Sequence, residues 1–369
     1  MRRRRAVWRT LLLAPVLAML LSGCWNSISI ADRAPVVGLA VSPAGGSLYD
    51  WTFLIPNPSI TESSLANLQV KDMYYPIRVE AASFPEALTR AQMNLARRLL
   101  LDQLEVVAWS PTMSIGAVHT LIAALNENGA VNKTYWAVVT PKPGSLLNMT
   151  GESVSEPVPG FFLADLFDCR TCQPMALGVR GWQAWTYAVT PGMSLTIPYA
   201  DSQGVVQQAA VYARTGRPHV LSPAATLGYA YLTDHVMAEA IPVTLPAGRA
   251  VLTTTSLTRR THVSERDGHL AVAETLLVSA RLLQLPPDLA FTRQVQSSIT
   301  DRVAARIAAL TLHAVHVAAR DHTDPFGFSR RLYWQRATWP TATHGAARIP
   351  LGPVTVTVHV RLTNEGVMS

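Results

Sequence analysis

SFPEALTRAQMNLARRLLLDQLEVVAWS, residues 83–110, places a helix directly before a strand, and that pairing sets the fold class. Ser83, Phe84, Pro85 and Glu86 form a capping box. The serine hydroxyl can accept from the Glu86 backbone N–H while the glutamate carboxylate reaches back to the cap. Pro85 suits a first turn, where no N–H is required. Phe84, Leu88, Ala91, Leu95 and Leu99 then recur at helical spacing, with Arg90, Arg97 and Arg98 on the other faces. LEVVAW, residues 104–109, follows as a strand.

The same alternation extends to both sides. APVVGLAV (34–41) predicts a buried strand, a Pro-Ala-Gly-Gly turn follows, and DWTFLI (50–55) completes a hairpin. Residues 56–75 are polar and predict a long loop. A helix is expected over 112–128, stopped by Gly129, and YWAVVT (135–140) is a further strand, ended by Pro141-Lys142-Pro143-Gly144. Strand and helix in alternation point to an α/β unit. From 146 to 200 the pattern loosens into Pro, Gly and Ser, which predicts a junction. Beyond it come strands at 205–212, 250–257 and 270–280. A helix over 297–320 would bury Ile299, Val303, Ile307, Leu310, Ala314 and Val317 along one stripe. The chain closes with a strand in which Val354, Val356, Val358, Val360 and Leu362 point one way, and Thr355, Thr357, His359 and Arg361 the other. The expected class is α+β (mixed α/β), multi-domain, with mixed β-sheets packed against helices. Its parts are a leader over 1–23, an N-terminal domain over 24–200 and a C-terminal domain over 201–369.

The leader has its own chemistry. Arg2, Arg3, Arg4, Arg5 and Arg9 precede an apolar run from Leu11 to Leu21 broken only by Pro15, the layout of a secretory signal. It ends in Leu21-Ser22-Gly23-Cys24. Cleavage between Gly23 and Cys24 would leave a cysteine able to carry a thioether-linked diacylglycerol, further acylated by a chain such as palmitate. Each buried methylene contributes about 0.8 kcal/mol, so two or three chains hold a protein firmly on a bilayer. The formal charge of +7 then loses its force. Removing five arginines leaves 26 Lys and Arg against 24 Asp and Glu, a net +2, which gives no argument for nucleic acid as a partner. The remaining 345 or so residues contain no further apolar run of about eighteen, so no transmembrane segment is expected in the mature chain.

Downstream, few residues suggest reactive chemistry. Cys169 and Cys172 form a CxxC in a Pro-containing, loop-like setting; a small disulfide loop or two idle thiols fits better than a redox pair or half a zinc site. His313 and His316 lie one turn apart, with His322 and Asp324 beyond, and read as a polar helix face rather than a metal site. Asp234-His235 lacks any GxSxG partner for a hydrolytic triad. No metal, cofactor or catalytic residue is therefore expected. Phe326, Phe328, Tyr333, Trp334 and Trp339 could contact a partner or ligand, or pack a helix on a sheet.

Several of these stretches together resemble the Ger(x)C family, the lipoprotein C subunits of spore germinant receptors. Gly23-Cys24-Trp25 and the strand PVVGLAVS are similar to the family's opening. FPEALTRAQMNLARRLLLDQLEVVAWS is similar to its helix-then-strand block. The run from Ile299 through Asp324-Pro325-Phe326-Gly327-Phe328, Tyr333-Trp334 and Trp339 to the strand at 354–362 is similar to its C-terminal part, and AAVYARTGRPHVLSPAATLGYAYL (209–232) is a weaker likeness. The sequence departs from the family just after GCW, where Asn26-Ser27-Ile28-Ser29-Ile30 replaces an acidic segment. The resemblance implies a non-enzymatic lipoprotein on the outer face of the spore's inner (cytoplasmic) membrane. It would work there with a multi-spanning transporter-like subunit and a second membrane subunit in nutrient-triggered germination. A lipid-anchored solute-binding protein is the alternative, and it requires two similar lobes around one cleft.

Overall fold

A computed structural model describes residues 32–57, 74–147, 159–169, 175, 177–236, 238–336 and 349–363. Strands β1 (Arg33–Pro35) and β2 (Gly38–Gly45) divide the single strand expected over 34–41. β2 turns through Gly45 and Gly46, both at positive φ, into β3 (Leu48–Pro56), and β4 (Tyr74–Ala81) lies antiparallel beside β3. Of the polar loop expected over 56–75, residues 58–73 lie outside the described ones.

Helix α1 (Phe84–Gln92) opens on the expected capping box. Glu86 N–H donates to Ser83 Oγ at 3.4 Å, and the glutamate carboxylate accepts from Ala82 N–H at 2.9 Å, one residue before the cap. The helix stops well short of Leu99. Residues 98–100 instead form β5 (Arg98–Leu100), parallel to β1. The Gln92 side chain fixes this ending, donating to Arg97 O at 2.8 Å and accepting from Leu99 N–H at 2.9 Å. The helical spacing of Leu95 and Leu99 is thus overridden by a strand partner more than sixty residues earlier in the chain.

β6 (Val106–Trp109) and β7 (Trp136–Val139) are buried at all four positions. A run of that kind belongs to a sheet covered on both faces. Helix α2 (Ile115–Glu127), capped by Ser114 Oγ and ended at Asn128 rather than Gly129, joins the two strands. Next come α3 (Pro143–Leu147), α4 (Pro159–Asp168), β8 (Val179–Arg180), α5 (Gly181–Val189), β9 (Thr196–Ala200), β10 (Val206–Tyr212) and β11 (Pro218–Val220). The nine-stranded sheet runs β11-β10-β9-β7-β6-β2-β3-β4, with β8 beside β7. Leu39, Trp51, Phe53, Val107 and Trp109 pack under α1 and α2 on one face. Ala40, Leu54, Val106 and Val138 pack against α3, through its Leu147, and α4 on the other. The stretch expected to be loose, 146–200, therefore supplies two helices and two strands to this layer. Within it, Gly178 and Gly181 are close-packing positions against the rings of Trp136 and Tyr135.

The second core begins at α6 (Pro223–Leu232) and is built on the sheet order β12 (Ala240–Leu245), β13 (Gly248–Arg266), β14 (His269–Gln284), β15 (Leu351–Thr363). Only β14 and β15 are parallel. Helix α7 (Arg293–Arg320) covers one face with Ile299, Val303, Ile307, Thr311, Ala314, Val315 and Ala318, while Leu310 and Val317 are half-buried flanks of the expected stripe. β15 alternates as its sequence requires. β13 and β14 are far longer than the 250–257 and 270–280 expected. Their inward positions include Arg259, Thr261 and Glu265, which hides the apolar period. The turn between them, Asp267-Gly268 with both φ positive, is the hairpin signal that locates it.

Helix α8 (Phe328–Arg336) completes the second half. β10 joins the two halves, because Ala210 and Tyr212 face the first core while Ala209 and Val211 face the second. The boundary expected between residues 200 and 201 falls at the end of β9, where Ala200 still pairs with Val206 of β10. The fold is the mixed α/β architecture of helix-packed sheets read from the sequence. Among the described residues no helix is long and apolar enough to cross a membrane.

Candidate functional site

The richest polar constellation lies where the two halves meet. Ser194, just before β9, and Asp324, just before α8, bond reciprocally: Asp324 N–H donates to Ser194 Oγ at 2.8 Å, and Ser194 N–H donates to Asp324 O at 3.0 Å. The Asp324 carboxylate then accepts from Phe328 N–H at 3.1 Å and Ser329 N–H at 2.7 Å. It thereby satisfies the opening donors of α8, which have no partner within the helix. Gly192, at φ 75°, lets its loop approach this helix start. A side chain there would meet Arg330 N and Ser329 Cβ at 2.9 Å.

Beside this contact is a cavity of about 110 Å³ bordered by Tyr187, Tyr229, His235, Arg259, Phe326 and Arg330. Arg259 is tied from outside, to Leu232 O and to Asp234 Oδ2 at 3.1 Å. Arg330 lies over the Trp334 ring at 4.6 Å, its buried Nε has no hydrogen-bond partner among the described residues, and burial pulls its guanidinium below the usual arginine pKa. Burial likewise pushes the Tyr229 phenol up. The space suits water or a small anion by size and sign. Ser194 Oγ is engaged by the Asp324 N–H, and His235 Nδ1 by Thr233 Oγ1 at 2.8 Å, so both groups serve the architecture.

Phe326, Phe328 and Tyr333 sit at this junction, all buried; Phe326 and Phe328 are 5.1 Å apart between ring centroids. Trp334 points outward at 61 % exposure. Gly23, Cys24, Cys172 and Trp339 lie outside the described residues. Cys169 follows α4 and is disulfide-bonded. His313 and His316 are on the exposed side of α7, and Asp234 pairs with Arg259 rather than with a nucleophile. Ser194, Arg259 and Arg330 are not foreseeable from local sequence, because their partners lie far along the chain.

A second buried polar group, on the helix-covered face of β14, is sensitive to pH. Glu274 is 1 % exposed; Oε1 accepts from Thr261 Oγ1 at 3.0 Å, with Arg259 Nη1 at 3.8 Å, and Oε2 has no hydrogen-bond partner among the described residues. Burial raises its pKa above the usual 4.5, against the pull of Arg259. The folded chain therefore holds this proton more tightly than the unfolded chain. The resulting stabilisation is complete below pH 4.5 and is lost as pH rises through the raised value. Glu274→Gln, which cannot ionise, is expected to gain stability relative to wild type as pH rises across that window. Denaturant midpoints measured at a series of pH values check this, and a difference independent of pH would refute it.

Residues 26–202 match a family profile described as the spore germination protein N-terminal domain, and residues 210–366 match one described as spore germination B3/GerAC like, C-terminal. The chain belongs to this spore germination GerAC family. The Ger(x)C resemblance read from the GCW opening, the helix-then-strand block and the C-terminal run is thereby borne out. The first GerAC profile ends at residue 202, in the β9–β10 turn, and the second begins at residue 210, within β10. A solved structure titled the crystal structure of the GerBC protein has a similar fold, with a TM-score of 0.56 at 11 % identity over 89 % of this chain and 97 % of that one. Comparison with curated proteins gives no significant match. GerAC family membership assigns the chain a role in spore germination.

Proposed function

We propose that the chain is a non-catalytic lipoprotein subunit of a germinant-receptor-like complex, anchored by acyl lipid on Cys24 and acting through contacts with membrane subunits. The observation that carries this reading is the match of both family profiles, in order, behind the Leu-Ser-Gly-Cys leader. No resident cofactor or metal enters it. Seven residues lie between Cys24 and Asp32, eight Cα-to-Cα steps that span at most about 27 Å. Such confinement raises the local concentration of the folded part beside a membrane partner, so a modest interface suffices. The solute-binding alternative gains no support, because a nine-stranded sheet and a four-stranded one are not two similar lobes.

In spores carrying Cys24→Ala in place of the wild-type chain, the protein is expected to leave the membrane fraction and germination to slow. Continued tight attachment to the membrane would show that lipid is not the anchor. Normal germination with a fully soluble chain would remove the need for anchoring.

A further inference from the structure

Among the described residues the four-stranded sheet has one covered face and one open face, and the two differ in charge. Across β13 and β14 the register sets Arg259 opposite Leu276, Thr261 opposite Glu274 and Val263 opposite Val272, all on the face beneath α7 and α8. The alternate positions turn outward: Thr258 opposite Leu277, Arg260 opposite Thr275 and His262 opposite Ala273. β15 extends this open face with Thr357 beside Thr275, His359 beside Leu277 and Arg361 beside Ser279. Arg249, Arg260, His262, Arg266, His359 and Arg361 are exposed.

Both carboxylates within these four strands, Glu265 and Glu274, lie on the covered face. Outward charges on the strands are therefore all positive, and Asp267 appears only at the hairpin tip. None of Arg249, Arg260, Arg266 or Arg361 has a carboxylate partner among the described residues. Strand spacing and rise put Arg260 and Arg361 about 17 Å apart. Small and hydroxylated side chains such as Ala273, Thr275, Ser279 and Thr357 fill the space between them.

This surface lacks what a protein interface uses. Leu277, 37 % exposed, is the large apolar side chain near its centre, and no aromatic side chain accompanies it among the described residues. An acid-free array of guanidinium groups instead suits a layer of phosphates, which arginine can grip in bidentate fashion. We propose that the open face of the β12–β15 sheet lies on an anionic phospholipid surface. The proposal takes the membrane location from the function proposed above and adds which side of the molecule faces the bilayer. Adsorption is electrostatic and weakens with salt.

The test uses residues 24–369 with Cys24→Ser, so that neither the basic leader nor an acyl chain contributes, and vesicles of phosphatidylcholine with or without phosphatidylglycerol. Binding is expected only with phosphatidylglycerol, and Arg260→Gln/Arg361→Gln should weaken it roughly thirtyfold. Arg214→Gln/Arg217→Gln, which removes the same charge from the exposed β10–β11 turn, should leave it nearly unchanged. Equal losses from both pairs, or none from the first, would overturn the proposal. Binding indifferent to lipid charge would also overturn it and leave the face to an acidic protein. Because every sample carries Cys24→Ser, failure of the lipid anchor cannot be mistaken for failure of this face.

Discussion

Gly228→Ala is expected to destabilise the chain by about 3 kcal/mol, through a single added methyl group. Gly228 lies on α6 where that helix crosses α7, and a β-carbon there would stand 2.7 Å from the Leu310 carbonyl carbon and 2.9 Å from Ala314 Cβ. The obstacle is helix backbone, which cannot move aside as a flexible side-chain end can. The helices must separate, which opens the packing of Tyr229, Ala230, Ile307 and Ala314 together. The same substitution at Gly116, in the first turn of α2 with open space around it, is expected to be neutral or to stabilise by up to about 1 kcal/mol. Denaturant unfolding of the two variants separates close packing from helix propensity. If Gly228→Ala proved as stable as wild type, the α6–α7 crossing would not be as tight as described.

Asp324→Ala should have a comparable effect by a different route. It leaves the Phe328 and Ser329 N–H groups buried without their acceptor, at about 1–3 kcal/mol each when no water replaces it. Loss of the cap also frees α8 from the loop around Gly192 and Ser194, so the junction should loosen while the nine-stranded sheet remains. Asp324→Asn keeps one acceptor oxygen and presents a donor to the second N–H, so it should recover only part of the loss. Hydrogen exchange of the α8 amides reads this directly. Unchanged protection in Asp324→Ala would mean that the carboxylate is not what holds the helix start.

The contrast between these residues shows which parts of the molecule the sequence reveals. The Ser83 capping box, the buried runs of β6 and β7, the stripe on α7 and the alternation of β15 are legible because each is a local period or cap. The end of α1 at Gln92 is not, since Leu95 and Leu99 continue the helical spacing and only the distant β1 diverts them. The extent of β13 is hidden because Arg259 and Thr261 occupy inward positions that an amphipathic strand would give to apolar residues. At the junction, Phe326, Phe328 and Tyr333 stand out by type. Their neighbours Ser194 and Arg259 do not, because a bond spanning 130 residues leaves no mark on either end. The role proposed for Cys24 rests on a linear motif alone and lies outside the described residues.

Strand β10 gives the molecule a mechanical property. Its two sides are embedded in different cores, and Tyr212 Oη also accepts from the buried Trp109 Nε1 at 2.9 Å. Halves connected by a free linker swing independently. Here a rotation of one half against the other would have to pull Ala209 and Val211, or Ala210 and Tyr212, out of a packed interior. A force applied to one half is therefore transmitted through the strand to the other, as load passes along a beam, and the two halves turn together.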